Sequence, residues 1–247
     1  MKLLKYPQDK TLLHQVVCRA EYAGLLVPNP REEWIQNAVD TAKEFGFASV
    51  HATPYIAASL AKKLEGSGVD VLCNIGMMTG LELPSHLRVR MCAEMFSSGV
   101  KKIDLGMDRG WIDDKKYDAI REELRSVAEL ARAYGGQLGA SIEAGSLRDE
   151  QKLELAQVAV DAGADYLRIC SGTDLLSGIN NGRASLYEVC LIQDRFGGQI
   201  KIKAGGGWDY AYAEDCLEQL QCGADCVDVG DRFVDQLRAI GYGREDG

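Results

Sequence analysis

The chain has 247 residues, 46% hydrophobic and 26% charged, which is ordinary globular usage and excludes a disordered or fibrous protein. Its formal charge is −9, with Lys and Arg scattered among Asp and Glu, so neither nucleic acid nor an anionic membrane is an expected partner. The opening MKLLKYPQDK lacks an apolar stretch of signal-peptide length and no run of about eighteen apolar residues occurs, so a cytoplasmic protein is expected.

In chain order, a first strand is placed around DKTLLH (9–14), followed by VVCRAEYAGLLVPNP (16–30), long for a connection and read as a cap on one end or a subunit contact. The helical stretch REEWIQNAVDTAKEFG comes next, then strands FASVHA (47–52), VDVLCNIG (69–76) and VKKIDLGM (100–107). YDAIREELRSVAELARAYGG has helical periodicity and ends on Gly, and QLGASIEAG (137–145) is again strand-like. DEQKLELAQVAVDAGA leads into the strand ADYLRICSG (164–172), and IKIKAGGG (200–207) and CVDVGD (226–231) complete the set. Alternating strands and helices imply parallel strands with right-handed crossovers. The predicted fold is α/β, a (β/α)8 TIM barrel in one domain over 1–247; an open doubly wound sheet is the alternative.

Eight cysteines show no CxxC pair and no histidine at zinc-ligand spacing, so reduced core thiols are expected. Cys216, Cys222 and Cys226 cluster near the C-terminus, but no metal is expected there, and no cofactor.

Charges stand where apolar strands should not tolerate them: Asp104, Glu143, Arg168, Lys203 and Asp231. Each alone reads as a paired charge of an inner barrel layer. Five of them near the C-terminal ends of successive strands read as a site at the barrel mouth, where chemistry is built in this architecture. Alternation puts Lys201, Lys203 and Gly205 on one face of their strand, with Asp104 and Glu143 the nearest acids to answer the lysines. The AGGGW turn (204–208), with Gly205 and Gly206, bares backbone N–H groups suited to an anion. Asp231 opposes a phosphate there unless Arg232 turns inward.

With these residues in place the chain resembles the deoxyribose-phosphate aldolase family over nearly its whole length. DKTLL is similar to that family's D-H-T-L-L, FASVHATPYI to ASVCVNP, GVKKIDLG to GADEIDVV, IEAGSL to IETGEL, AGADYLRICSG to AGADFIKTSTG, and IKAGGGW to VKASGGI. The resemblance implies a class I aldolase barrel cleaving 2-deoxyribose 5-phosphate to acetaldehyde and glyceraldehyde 3-phosphate. In that family a sixth-strand lysine forms a Schiff base, a seventh-strand lysine lowers its pKa and a fourth-strand aspartate relays protons. By position the aspartate is Asp104, the seventh-strand lysine is Lys203 and the early aspartate is Asp9. The Schiff-base position holds Arg168, and a guanidinium cannot act as an amine nucleophile. The family's cysteine is His51, its T-S-T-G turn ends here in Ser171-Gly172, and its last-strand G-x-S-S phosphate turn is Gly230-Asp231-Arg232.

The implied catalytic set is Asp104, Lys203, Arg168 and Asp9, with His51, Glu143, Ser171, Gly172, Gly205, Gly206, Asp231 and Arg232 around a small-molecule substrate: a small sugar, a sugar phosphate, or an aldehyde or ketone, with a 5-phosphate less well provided for than in the family. A homodimer is the expected assembly. Three functions are open: a carbon–carbon lyase with Lys203 as Schiff-base or general-base residue, a non-covalent lyase or isomerase with Arg168 clamping a carboxylate or oxyanion, and an inactive binding protein on the aldolase fold.

Overall fold

The computed structural model describes residues 10–25, 30–77, 83–171, 184–205 and 212–243. Asp9, Gly172 and Gly206 lie outside the described residues.

The described strands run parallel and close into a barrel in sequence order: β1 (Ala20–Tyr22), β2 (Ser49–Ala52), β3 (Asp70–Ile75), β4 (Lys102–Gly106), β5 (Gln137–Ser141), β6 (Tyr166–Arg168), β7 (Lys201–Ala204) and β8 (Cys226–Val229), with β8 pairing back onto β1. Around it, still in chain order, are α1 (Lys10–Val17), α2 (Glu32–Phe45), α3 (Pro54–Leu64), α4 (Ser85–Ser97), α5 (Arg109–Asp113), α6 (Tyr117–Tyr134), α7 (Asp149–Ala162), α8 (Leu186–Phe196), α9 (Ala213–Gln221) and α10 (Asp231–Ala239).

The apolar spacing of the helices explains their docking. In α6 the residues Ile120, Leu124, Val127, Ala128 and Ala131 form one buried stripe, and Gly135 ends the helix at φ 63°, a left-handed cap that costs Gly least. Outward residues of the strands, among them Val50, Ile103, Leu105, Leu138, Leu167, Ile202 and Val227, meet these stripes in one apolar layer between strands and helices. A buried ion pair adds a polar pin: Arg88 of α4 bonds Glu123 of α6 and donates through Nη1 to the Gly106 carbonyl at 2.8 Å, fixing the end of β4. Among the described residues, no helix is long and apolar enough to cross a membrane.

The seven strand runs from residue 47 onward are present, and the closed barrel rather than the open sheet is observed. The first strand is not at 9–14: Lys10–Val17 is a helix, with Leu13, Val16 and Val17 buried on one face at helical spacing. The barrel closes instead with Ala20–Tyr22, inside the segment 16–30 read as a connection. Two strand ends also shift. Glu143 lies beyond β5, immediately before a single turn over Ala144–Ser146, and Asp231 is not a strand residue but the first residue of α10.

Candidate active site

Because side chains alternate along a strand, Ile103 and Leu105 face the helices while Lys102 and Asp104 face the barrel interior. The same parity turns Arg168 of β6, Lys203 of β7 and Asp228 of β8 inward. Strand register then sets them side by side: Arg168 pairs with Lys203, and Asn74 of β3 with Asp104. Asp104, Arg168 and Lys203 are completely buried.

Lys203 Nζ lies 3.1 and 2.9 Å from the two oxygens of Asp104 and 2.6 Å from Glu21 Oε2 of β1. Arg168 Nη1 lies 3.1 Å from Asp104 Oδ2, so one carboxylate serves both cations. The same nitrogen donates to Asn74 Oδ1 at 2.7 Å; Nη2 donates to Asp228 Oδ2 and to the Ser171 carbonyl, and Nε to the Cys170 carbonyl at 3.1 Å. The five N–H groups of a guanidinium are thereby matched by five acceptors. Lys102 Nζ reaches Glu21 Oε1 at 3.3 Å. Three cations (Lys102, Arg168, Lys203) thus face three carboxylates (Glu21, Asp104, Asp228), the balance a buried cluster needs.

Two glycines make room for it. A Cβ at Gly139 would land on the Asp104 carboxylate, and one at Gly205 on the Cys170 carbonyl and the Arg168 side chain. Gly205 thus serves first as space for the guanidinium.

Burial by itself would raise the Glu21 carboxyl, but Lys203, the His51 hydrogen bond and Lys102 hold it well below its usual value. Asp228, pushed up by burial, is brought below normal by Arg168 and then His51. For Lys203, burial favours the neutral amine, yet Asp104 and Glu21 outweigh it and the pKa is raised. Burial likewise opposes charge on His51, while Asp228 and Glu21 raise it.

The depressed carboxylates have a measurable consequence. Glu21 and Asp228 contribute stability that is complete above the ordinary carboxylate range of about 4, and lost as pH falls through their lowered values. A melting-temperature series should therefore drop steeply below about pH 4, and Asp228→Asn should flatten part of that slope. An equal acid slope in the variant would contradict the pairing of Asp228.

Of the other expected site residues, His51 joins the cluster, Glu143 lies at its edge, and Asp231, Arg232 and Lys201 are exposed. His51 of β2 is buried inside the cluster, its Nδ1 3.3 Å from the Asn74 side-chain nitrogen and its Nε2 3.2 Å from Asp228 and 3.8 Å from Glu21. Glu143 is half-buried at the edge and accepts from the Ser171 backbone N–H at 3.2 Å, tying the end of β5 to the turn after β6. Asp231 is exposed in the first turn of α10 and accepts from the Tyr22 hydroxyl; Arg232 is exposed beside it. Lys201 sits at the exposed rim of β7, over the Tyr166 ring.

Four members of the cluster escaped sequence reasoning: Glu21, Asn74, Lys102 and Asp228. Asp228 had a signal, since CVDV alternates and puts it on the face opposite Val227 and Val229. Glu21 had none while its strand was unrecognised.

Among the described residues, donor atoms of Glu21, His51 and Asp228 lie within 4.8 Å of one another, close enough to meet on one ion. They do not fit that role. Lys203 and Arg168 already neutralise both carboxylates, and Asn74 donating to Nδ1 places the imidazole proton on Nε2, the nitrogen that faces them. A ligating histidine needs the opposite arrangement, a lone pair toward the ion and an N–H behind it.

No family model matches the chain. Individual relatives do. Deoxyribose-phosphate aldolase of Streptococcus sanguinis is 30% identical over 200 residues, covering 81% of this chain and 86% of the relative. That of Clostridium tetani is 28% identical over 217 residues, 87% of this chain and 95% of the relative. Among solved structures, an aldolase called QR15 superposes with a TM-score of 0.80 over 93% of this chain and 99% of its own at 24% identity, which shows the shared barrel. With the barrel in common and identity of this degree over most of both chains, the chain belongs to the deoxyribose-phosphate aldolase family.

Proposed function

We propose that the protein is an aldolase-type carbon–carbon lyase for a small β-hydroxy carbonyl compound lacking a phosphate, with Lys203 as its reactive amine. The observation that carries this reading is the Lys203–Asp104–Arg168 arrangement: an amine and a permanent cation on register-paired strands, joined by one carboxylate. It supports an exchange of cation types, arginine standing where the family keeps its nucleophile and lysine remaining on the neighbouring strand.

For imine formation the ammonium gives one proton to Asp104 or Glu21, both within hydrogen-bonding distance. The free amine adds to the substrate carbonyl and water leaves as the iminium forms. A carboxylate takes the β-hydroxyl proton while the Cα–Cβ bond breaks, releasing an aldehyde and an enamine. Protonation of the enamine carbon and hydrolysis then restore Lys203.

The raised pKa of Lys203 sets the cost, since each unit above ambient pH takes about 1.4 kcal/mol to reach the neutral amine. The lyase rate is accordingly expected to climb with pH well past neutrality. Asp231 supports the absence of a phosphate: its carboxylate, held by Tyr22, occupies the first turn of α10, where the family's phosphate turn lies.

A second reading has one observation in its favour. An ammonium held by two carboxylates can polarise a carbonyl without bonding to it, with Asp104 or Glu21 as base. Arg168 is a poor clamp in that scheme, because a substrate oxygen would have to displace one of its five acceptors.

Borohydride reduction in the presence of a panel of hydroxyaldehydes and hydroxyketones, read by mass spectrometry, separates the readings. The expected result is a stable adduct on Lys203, absent in Lys203→Met. Cleavage without an adduct would favour the non-covalent route, and binding without cleavage would leave a binding protein.

A further inference from the structure

Arg168 can only donate hydrogen bonds. Its Nη1, 2.7 Å from the Asn74 oxygen, fixes which way round that amide sits, because a turned amide would set its NH2 against a guanidinium N–H. The Asn74 nitrogen therefore points at His51 Nδ1, 3.3 Å away, and at the Ala52 carbonyl, 3.4 Å away. An N–H aimed at Nδ1 requires that nitrogen to accept, and the imidazole proton then sits on Nε2, facing Asp228 Oδ1 at 3.2 Å and Glu21 Oε2 at 3.8 Å. The other oxygen of Asp228 accepts from Arg168 Nη2. The contacts close a ring: Arg168, Asn74, His51, Asp228 and Arg168 again.

We propose that His51 is a positioning residue whose protonation is coupled to Arg168 through Asn74: a second proton on Nδ1 and the Asn74–Arg168 hydrogen bond exclude one another. The charges facing His51 pull in both directions. Glu21 of β1 and Asp228 of β8 attract the second proton, while Arg168 of β6 opposes it. Lys203 binds Glu21 at Oε2, the oxygen that faces His51, and Lys102 binds it at Oε1, while Asp104 holds Arg168 and Lys203 from β4. When His51 takes the second proton, Asn74 must turn its oxygen toward Nδ1, and Arg168 Nη1 loses its shortest neutral acceptor. Arg168 shares Asp104 with Lys203, so the change reaches the amine. The link to turnover rests on the lyase reading above; the coupling does not.

The test is an NMR titration of the uniformly 15N-labelled protein from pH 4 to 9, in which His51 has to be told apart only from His14 and His86. The expected result is that neutral His51 carries its proton on Nε2, and that the Asn74 amide and the Arg168 guanidinium resonances move with the same midpoint as the imidazole. Asn74→Leu should raise that midpoint by about one pH unit, the size of one hydrogen bond, and the Arg168 resonances should stop following it. A neutral His51 protonated on Nδ1, or an imidazole that titrates while Asn74 and Arg168 stay still, would overturn the proposal in the unaltered protein, whatever the variant does. Where the lyase is active, the acid limb of its kcat/KM profile should follow the His51 midpoint and disappear in Asn74→Leu. An inactive protein with the three resonances still coupled would count against the lyase and leave the coupling standing.

Discussion

Asp104→Asn is expected to destabilise the protein by about 3–5 kcal/mol, the cost of removing one partner from a buried ion pair. The substitution keeps the shape of the side chain, so no cavity contributes. What changes is that Arg168 and Lys203, which share this carboxylate at 3.1 and 2.9 Å, face one another with only Asp228 and Glu21 left to hold them. The amide also brings an NH2 toward two donors. For a chain of this size that loss corresponds to a fall in melting temperature of about 10 °C. Removing the acid that most raises Lys203 should also move the alkaline rise of the lyase rate to lower pH. Denaturant unfolding of the variant would settle the first point: a change under about 1 kcal/mol would mean that Asp104 is not the shared counter-ion.

Arg168→Lys restores an amine at the family's Schiff-base position, and the structure predicts a poor enzyme all the same. A lysine offers three N–H groups on one atom, whereas Arg168 spreads five over a planar fork reaching from Asn74 to Asp228 and back to the carbonyls of Cys170 and Ser171. At least two buried acceptors lose their donor, at about 1–3 kcal/mol each, so stability should fall by about 2–6 kcal/mol. The new amine should form a borohydride-trappable adduct with unphosphorylated hydroxyaldehydes. With 2-deoxyribose 5-phosphate the single variant should stay slow, because the Asp231 carboxylate remains in the first turn of α10. Arg168→Lys combined with Asp231→Ser should be at least tenfold faster on the phosphorylated sugar than Arg168→Lys alone. Equal rates for the two variants would show that Asp231 does not govern phosphate acceptance.

Both expectations turn on neighbours that no local pattern names. From residue 47 onward the strand and helix periodicities were strong enough to place the elements, because each buries one apolar stripe and the spacing of that stripe is a local property. The N-terminal end was misread for the same reason. KTLLHQVV carries a helical apolar face that resembles the family's opening in letters, while the true strand Ala20–Tyr22 is only three residues long, too short for its alternation about Glu21 to stand out.

The chain alone pointed to parallel α/β strands in barrel order, to the family, and to a shared site for Asp104, Arg168 and Lys203, because strand parity and motif order are written residue by residue; closure of the sheet was left to the tertiary structure. The chain also determined that position 168 cannot form an imine, since that depends only on the side chain's chemistry. Tertiary structure decided which charge answers which. Closing the sheet brought Glu21 and Asp228, from the first and last strands, against Lys203 and Arg168, and their burial leaves each charge to be balanced by whatever the closure sets beside it. That pairing makes Lys203 a held ammonium, and sets His51 in a ring of polar contacts with Asn74, Asp228 and Arg168.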